Sequence, residues 1–269
     1  MIYLRLKKLN CLQNNPIGKV HSAHSIRLSC LIAVILHDLY YSQIYYIQDT
    51  YYYYIYIIQM EQLKIKYNYF CNYQCDINEH LPTLYNYAQE CESVIELGVR
   101  RVISSYALAY GLMKNNKETK NILLNDINEC DVRELLSITK ELPINVNYKW
   151  INDLELDITD NVDLTFIDTW HVYGQLKREL NKFSKITNKY IIMHDTTADE
   201  IYGETIRCNW NAEEQSIKSG IPVKEINKGL WPAIEEFLET NKNWKIKERF
   251  YNNNGLTILE KVYTIEDVK

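Results

Sequence analysis

No C-x-x-C pair occurs among the seven cysteines of this 269-residue chain, Cys11, Cys30, Cys71, Cys75, Cys91, Cys130 and Cys208. Without that spacing the zinc-knuckle and dithiol redox readings fall away. An odd, scattered set fits reduced thiols, as in the cytoplasm. Cys71, Cys75 and His80 lie close in sequence, but a structural zinc site needs a fourth ligand and none stands nearby. Positive charge is also in deficit. Lys and Arg number 30 against 35 Asp and Glu, a formal net charge of -5, so no global field draws the protein to nucleic acid or anionic lipid. Long hydrophobic runs are missing too. The best, Leu28 to Leu36, is broken by His37 and Asp38, well short of the roughly 20 apolar residues that span a bilayer. It follows too long a polar lead to make a tidy signal peptide, and stable membrane insertion is not expected.

What is present falls into two parts. From Tyr40 to Tyr56, nine tyrosines crowd a segment with no Gly or Pro and no clean helical or alternating period. Such bias is compositional rather than architectural. Residues 1–59 are therefore expected to be a Tyr-rich, poorly ordered N-terminal extension, or even the product of a wrongly chosen start codon, with the functional protein beginning at Met60. A membrane-surface anchor is the alternative that its aromatic and aliphatic content allows. Residues 60–269 are expected to form one catalytic domain.

Within that domain short apolar runs alternate with amphipathic stretches. Ser93–Leu97, Asn121–Asn125, Val162–Ile167 and Tyr190–Met193 have the length and apolar content of strands buried on both faces. Val102–Met113, Glu129–Leu142 and Tyr173–Phe183 carry the three-to-four spacing of helices packed on a sheet. The fold class is therefore α/β, a doubly wound parallel sheet. Pro232 suits the first turn of a further helix. The runs Trp244–Phe250 and Leu256–Leu259 flank Asn252-Asn253-Asn254-Gly255, a turn whose residues tolerate positive φ, so an antiparallel C-terminal hairpin is expected.

The chemistry gathers at the strand ends. Glu96-Leu97-Gly98 closes the first strand with a residue that lets a ligand approach the backbone at the carboxyl edge of the sheet; an ordinary strand-to-helix turn would read the same way. Asp126 ends the second strand where a carboxylate can hold ribose hydroxyls, or merely cap a helix. Asp168-Thr169-Trp170-His171 follows one strand and His194-Asp195 the next. Two carboxylates and two imidazoles at one sheet edge suit a hard cation plus a proton acceptor, the plainer alternative being helix caps and surface histidines.

These residues resemble the class I S-adenosylmethionine-dependent methyltransferases, in particular the cephalosporin-hydroxylase-like and sugar O-methyltransferase group. In that group a first motif of the E-h-G-x-x-x-G-x-S kind is followed by I-D-x-x-H-x-Y and by a strand ending in H-D or E-D. The resemblance runs from about Asp76 to Lys261 and includes Gly229-Leu230-Trp231-Pro232. It implies a Rossmann-like methyltransferase sheet, S-adenosylmethionine as cofactor, and methyl transfer to a hydroxyl of a sugar, glycan or related small molecule. Glu96 and Gly98 would line the cofactor, Asp126 would hold ribose and Asp153 would lie near adenine. Asp168 and Asp195 would bind a metal, for which Mg²⁺ fits an oxygen-rich set, and His171, beside the acceptor, would be the general base, with Asp168 acting in the chemical step through an ion that lowers the alcohol's pKa. A homo-oligomer is compatible with all of this. Two departures stand out: Val102 occupies the place of the family's second glycine, and Thr169-Trp170 replaces its G-D pair. They leave open a catalytically inactive, methyltransferase-like binding module. A nicotinamide-dependent oxidoreductase is a further alternative, against which the single-glycine loop and terminal hairpin argue.

Overall fold

The computed structural model describes residues 20–263. The described residues divide into two compact units between Tyr54 and Ile55. Helix α1 (Val20–Asn72) is continuous through the border. No Gly or Pro stands between Gly18 and Pro82 to stop it. In the first unit Tyr40, Tyr41, Tyr46 and Tyr51 to Tyr54 are all exposed, which explains why no period is legible there: that stretch is helical without burying these rings. The remainder of the extension, residues 1–19, lies outside the described part. In the second unit the same helix gains a stripe. Tyr56, Met60, Leu63, Tyr67 and Phe70, three or four residues apart, pack on the core, with Leu63 fully buried. A boundary at Met60 therefore cuts through this stripe, and the compact unit begins five residues earlier, at Ile55.

After a turn at Asn78–His80 come α2 (Leu81–Gln89), β1 (Ser93–Leu97), α3 (Ile103–Lys114), β2 (Asn121–Asp126), α4 (Arg133–Thr139) and β3 (Asn145–Trp150). A 3-10 turn at Asp153–Glu155 leads to β4 (Val162–Ile167), α5 (Tyr173–Phe183) and β5 (Thr187–His194). Three short helices, α6 (Glu204–Arg207), α7 (Ala212–Ser219) and α8 (Val223–Ile226), precede α9 (Trp231–Thr240), β6 (Trp244–Phe250) and β7 (Leu256–Lys261). The sheet order is β3-β2-β1-β4-β5-β7-β6. β1 to β5 pair in parallel, whereas β7 runs antiparallel to both β5 and β6. This is the doubly wound α/β sheet with the expected antiparallel hairpin, the Rossmann-like methyltransferase arrangement.

Strand alternation divides the core between the two faces. Val94, Ile122, Leu164, Phe166 and Ile192 pack with α2, α3 and the C-terminal part of α1, whereas Ile95, Leu97, Ile167, Ile191 and Met193 pack with α5 and α9. Ile258 and Leu259 are both fully buried, one in each cluster, because β7 is an interior strand. The turn at the head of the hairpin adopts the expected positive φ at Asn253, Asn254 and Gly255 (44°, 68° and 94°). β3 is an edge strand with an alternation of half-buried Val146 and Tyr148, too polar to stand out in the sequence.

Candidate functional site

The strand order reverses between β1 and β4, so the crevice that receives ligands in such sheets opens beyond Leu97 and Ile167. Gly98 and Asp168 are the next residues. Strand pairing persists past both ends, with Asp168 N donating to Leu97 O at 2.8 Å and Gly98 N to Asn125 O at 2.9 Å. Gly98 has φ +87°, and a Cβ there would lie 1.9 Å from the Asp168 carbonyl oxygen. The glycine is thus required first by the neighbouring backbone: its missing side chain admits the Asp168 peptide.

Glu96, expected to line the cofactor, is fully buried beneath the sheet edge. Its two oxygens accept hydrogen bonds from Ser104 Oγ and, at 2.5 Å, Ser105 Oγ, tying β1 to the first turn of α3. Burial pushes its carboxyl up to about 8, against the opposing pull of the two serines. Asp126 is buried and holds the β1–α3 loop, accepting from Arg100 N at 2.9 Å and Asn128 N at 2.7 Å. Each of its oxygens retains a second lone pair for a ribose hydroxyl. The same loop carries Arg100 at φ 43° and Val102 at φ 63°. Val102 therefore keeps the left-handed backbone of a glycine while bearing a β-branched side chain, a strained combination.

Asp153, expected to lie near adenine, stands three residues past the end of β3. Buried in its 3-10 turn, it accepts from Gln175 Nε2 at 3.1 Å. That amide also donates to Glu179 Oε1 at 2.8 Å, as does Thr169 Oγ1 at 2.5 Å. Burial pushes both carboxyls up, and their proximity raises Glu179 further. The pair anchors α5 under the β4 loop.

Asp168, His171 and Asp195 do come together, and His194 joins them. β4 and β5 are in register at Ile167 and Met193, which sets the residues that follow side by side. His171 Nε2 lies 3.2 Å from both Asp168 Oδ1 and Asp195 Oδ2. His194 Nδ1 lies 3.2 Å from Asp168 Oδ1 and 3.1 Å from Asp195 Oδ2. Asp195 adopts φ 58°, the left-handed conformation Asp tolerates, at the end of β5. On the outer side, His171 Nδ1 stands 3.2 Å from Asp199 Oδ2, close enough for an ion pair though not aligned for a hydrogen bond. Asp199 is clamped by Arg207 through contacts of 2.6 and 2.8 Å. His194 Nε2 is 3.2 Å from Asn253 O in the hairpin turn. Asp199, Glu204 and Arg207 carry no sequence motif, and only their place in the loop after β5 brings them here.

The electrostatics bear on His171 as a base. Burial alone would lower its pKa, but Asp168, Asp199 and Asp195 raise it well above the ordinary histidine value. The same carboxylates, working against burial, raise His194 to about 10. Burial would raise Asp168, yet His194 and His171 hold it well below the usual carboxylate range. With only protons to balance the carboxylates, this field favours the charged form of His171. Mg²⁺ is at odds with the site. It demands near-octahedral oxygen ligation, whereas two of the four inward-facing atoms are imidazole nitrogens. Cys71, Cys75 and His80 form no metal group among the described residues; His80 Nε2 instead faces the Asn252 and Asn253 carbonyls.

No family model matches the chain, and no curated protein matches it. Among solved structures, the N-methyltransferase NodS from Bradyrhizobium japonicum WM9 shares 11% identity over 70% of this chain and 97% of its own, with a TM-score of 0.46. The O-methyltransferase TomG from Streptomyces achromogenes, involved in tomaymycin synthesis and solved with SAM, shares 10% over 76% and 90%, with a TM-score of 0.46. An O-methyltransferase from Bacillus cereus, in complex with SAH, shares 11% over the same spans, with a TM-score of 0.44. Likeness at that level decides no activity, and the fold assignment rests on the strand order itself.

Proposed function

We propose that the chain is an S-adenosylmethionine-dependent O-methyltransferase acting on a hydroxyl of a sugar, glycan or related small molecule. One observation carries this reading: Asp168, His171, His194 and Asp195 converge beyond β4 and β5, beside the Gly98 turn at the switch point of a methyltransferase-type sheet. S-adenosylmethionine supplies an electrophilic methyl group for an in-line displacement. The chain's part is to align the acceptor, worth several kcal/mol by proximity, and to receive its proton. Asp126 would hold the ribose. Asp168 presents its Oδ2, which accepts no hydrogen bond from the described residues, on the most exposed side chain of the cluster. It would take the hydrogen bond of the acceptor hydroxyl, whose proton would pass to His171 when that ring is neutral. His171 fixes the orientation of that carboxylate through Oδ1. Mg²⁺ has no part in this scheme. Unpaired Cys71, Cys75, Cys91, Cys130 and Cys208 favour a cytoplasmic setting, and no helix of the described residues is long and apolar enough to cross a membrane. The test is calorimetry with S-adenosylmethionine, followed by transfer assays on a panel of sugars and glycans read by mass spectrometry. Cofactor binding with a methyl gain on a hydroxylated acceptor supports the reading. Binding with no transfer favours an inactive module, and no binding removes the methyltransferase reading.

A further inference from the structure

We infer that Asp168 Oδ1, His171 Nε2, His194 Nδ1 and Asp195 Oδ2 together bind a borderline divalent transition-metal ion of the zinc type, and not Mg²⁺. Nitrogen and oxygen alternate around this ring, and each nitrogen lies 3.1 or 3.2 Å from each oxygen. Ligand atoms around a tetrahedral ion with bonds of about 2.0 Å stand about 3.3 Å apart, close to these four sides, and Asp168, His194 and Asp195 have ligand atoms near enough to one another to share an ion.

The outer sides of the two imidazoles are a second, independent observation. A main-chain carbonyl can only accept, so His194 Nε2, facing Asn253 O, carries a proton and a neutral ring turns the lone pair of Nδ1 inward. His171 Nδ1 lies 3.2 Å from Asp199, a carboxylate that Arg207 holds still, without the alignment of a hydrogen bond. The inward lone pair of His194 then confronts two carboxylate oxygens, an arrangement that repels itself unless positive charge sits among them. An outer acceptor, as on His194, is the support that orients a metal-bound imidazole and fixes its tautomer. Asp195, only 4% exposed, keeps Oδ1 without a hydrogen-bond partner. Imidazole favours zinc-like ions, whereas magnesium favours carboxylate and water. The alternative source of positive charge is one proton on each ring, and the experiment separates the two.

The inference deepens the methyl-transfer reading and shares its site, but is tested apart from it. The full chain, purified without chelator, is analysed for bound metals, then stripped and titrated with Co²⁺, Zn²⁺ and Mg²⁺. The expected result is about one zinc-type ion per chain, visible d–d bands of four-coordinate Co²⁺, and a rise in Tm with Zn²⁺ that Mg²⁺ does not reproduce. His194→Ala and Asp195→Asn should abolish the Co²⁺ bands, with circular dichroism confirming that the variants fold. Three outcomes overturn the inference: wild type that binds neither Zn²⁺ nor Co²⁺, equal stabilisation by Mg²⁺, or a folded His194→Ala variant with undiminished Co²⁺ bands. Calorimetry with S-adenosylmethionine on the same samples separates the two ideas. Cofactor binding without metal binding sinks only the metal site, and metal binding without cofactor binding sinks only the methyl-transfer reading.

Discussion

Replacing Gly98 with alanine tests how the site is built. The added Cβ would stand 1.9 Å from the Asp168 carbonyl oxygen and 2.5 Å from its carbon, both backbone atoms that no rotamer change can move. The backbone at φ +87° adds the ordinary penalty for a non-glycine residue in left-handed space, about 1–2 kcal/mol. Overpacking against a fixed partner costs about 1–3 kcal/mol more. Together these give roughly 2–5 kcal/mol of destabilisation, which lowers Tm by about 5–20 °C for a unit of this size. Relief by moving the Asp168 peptide would also disturb the 3.2 Å contacts of its carboxylate with His171 and His194. The assay is thermal unfolding by circular dichroism, paired with cofactor calorimetry at a temperature where the variant remains folded. An unchanged Tm would refute the placement of Gly98 against Asp168. A large drop means that lost cofactor affinity in a Gly98 variant cannot by itself locate the cofactor.

Asp168→Asn and His171→Ala should each reduce turnover roughly 10²- to 10⁴-fold, the range for loss of a positioned proton-transfer group, with S-adenosylmethionine affinity nearly intact by calorimetry; full activity in either would remove it from the acceptor side. Glu96 binds its proton more tightly folded than unfolded, so its contribution to stability falls as pH rises from its ordinary 4.5 towards about 8. Glu96→Gln should therefore gain on wild type between pH 5 and pH 8 in urea unfolding; a difference that does not change with pH would refute the buried, raised carboxyl. A chain beginning at Ile55 should melt cooperatively at nearly the full-length Tm, whereas one beginning at Met60 loses the packing of Tyr56 and should melt lower; equal Tm values would put the border at Met60.

Most of the sheet was legible because its strands are buried on both faces and read as apolar runs. Ser93–Leu97 and Val162–Ile167 match the observed β1 and β4 residue for residue, and the Asn-Asn-Asn-Gly turn announces the hairpin through conformations few other residues adopt. What escaped was half-buried or conditional on context. The stripe from Tyr56 to Phe70 has helical spacing, but the tyrosine-rich run just before it, whose rings stay exposed, masks the change of character at Ile55. The residues between Thr196 and Lys228 form only short helices, whose positions are set by loop contacts such as Arg207 with Asp199 rather than by any period.

For the site, the motif residues were findable and their partners were not. Asp168, His171 and Asp195 were marked by position at strand ends, a property of the chain that survives folding unchanged. The roles of Glu96, Gly98 and Asp153 depended on what lies across from them: two serines of α3, the Asp168 peptide, and the Glu179 carboxyl. None of these partners is within reach in sequence, separated as they are by 8 to 70 positions. The same logic governs His171. A histidine three residues after an aspartate reads as a base when that aspartate is its only neighbour. Placed within 3.2 Å of Asp168, Asp195 and Asp199 at once, it sits in a field that favours a cation. Whether that cation is a proton or a metal ion fixes whether His171 meets the acceptor side as a hydrogen-bond donor or as a ligand. In both cases Asp168 Oδ2, on the most exposed side chain of the cluster, stays free to accept a hydrogen bond from the proposed acceptor hydroxyl.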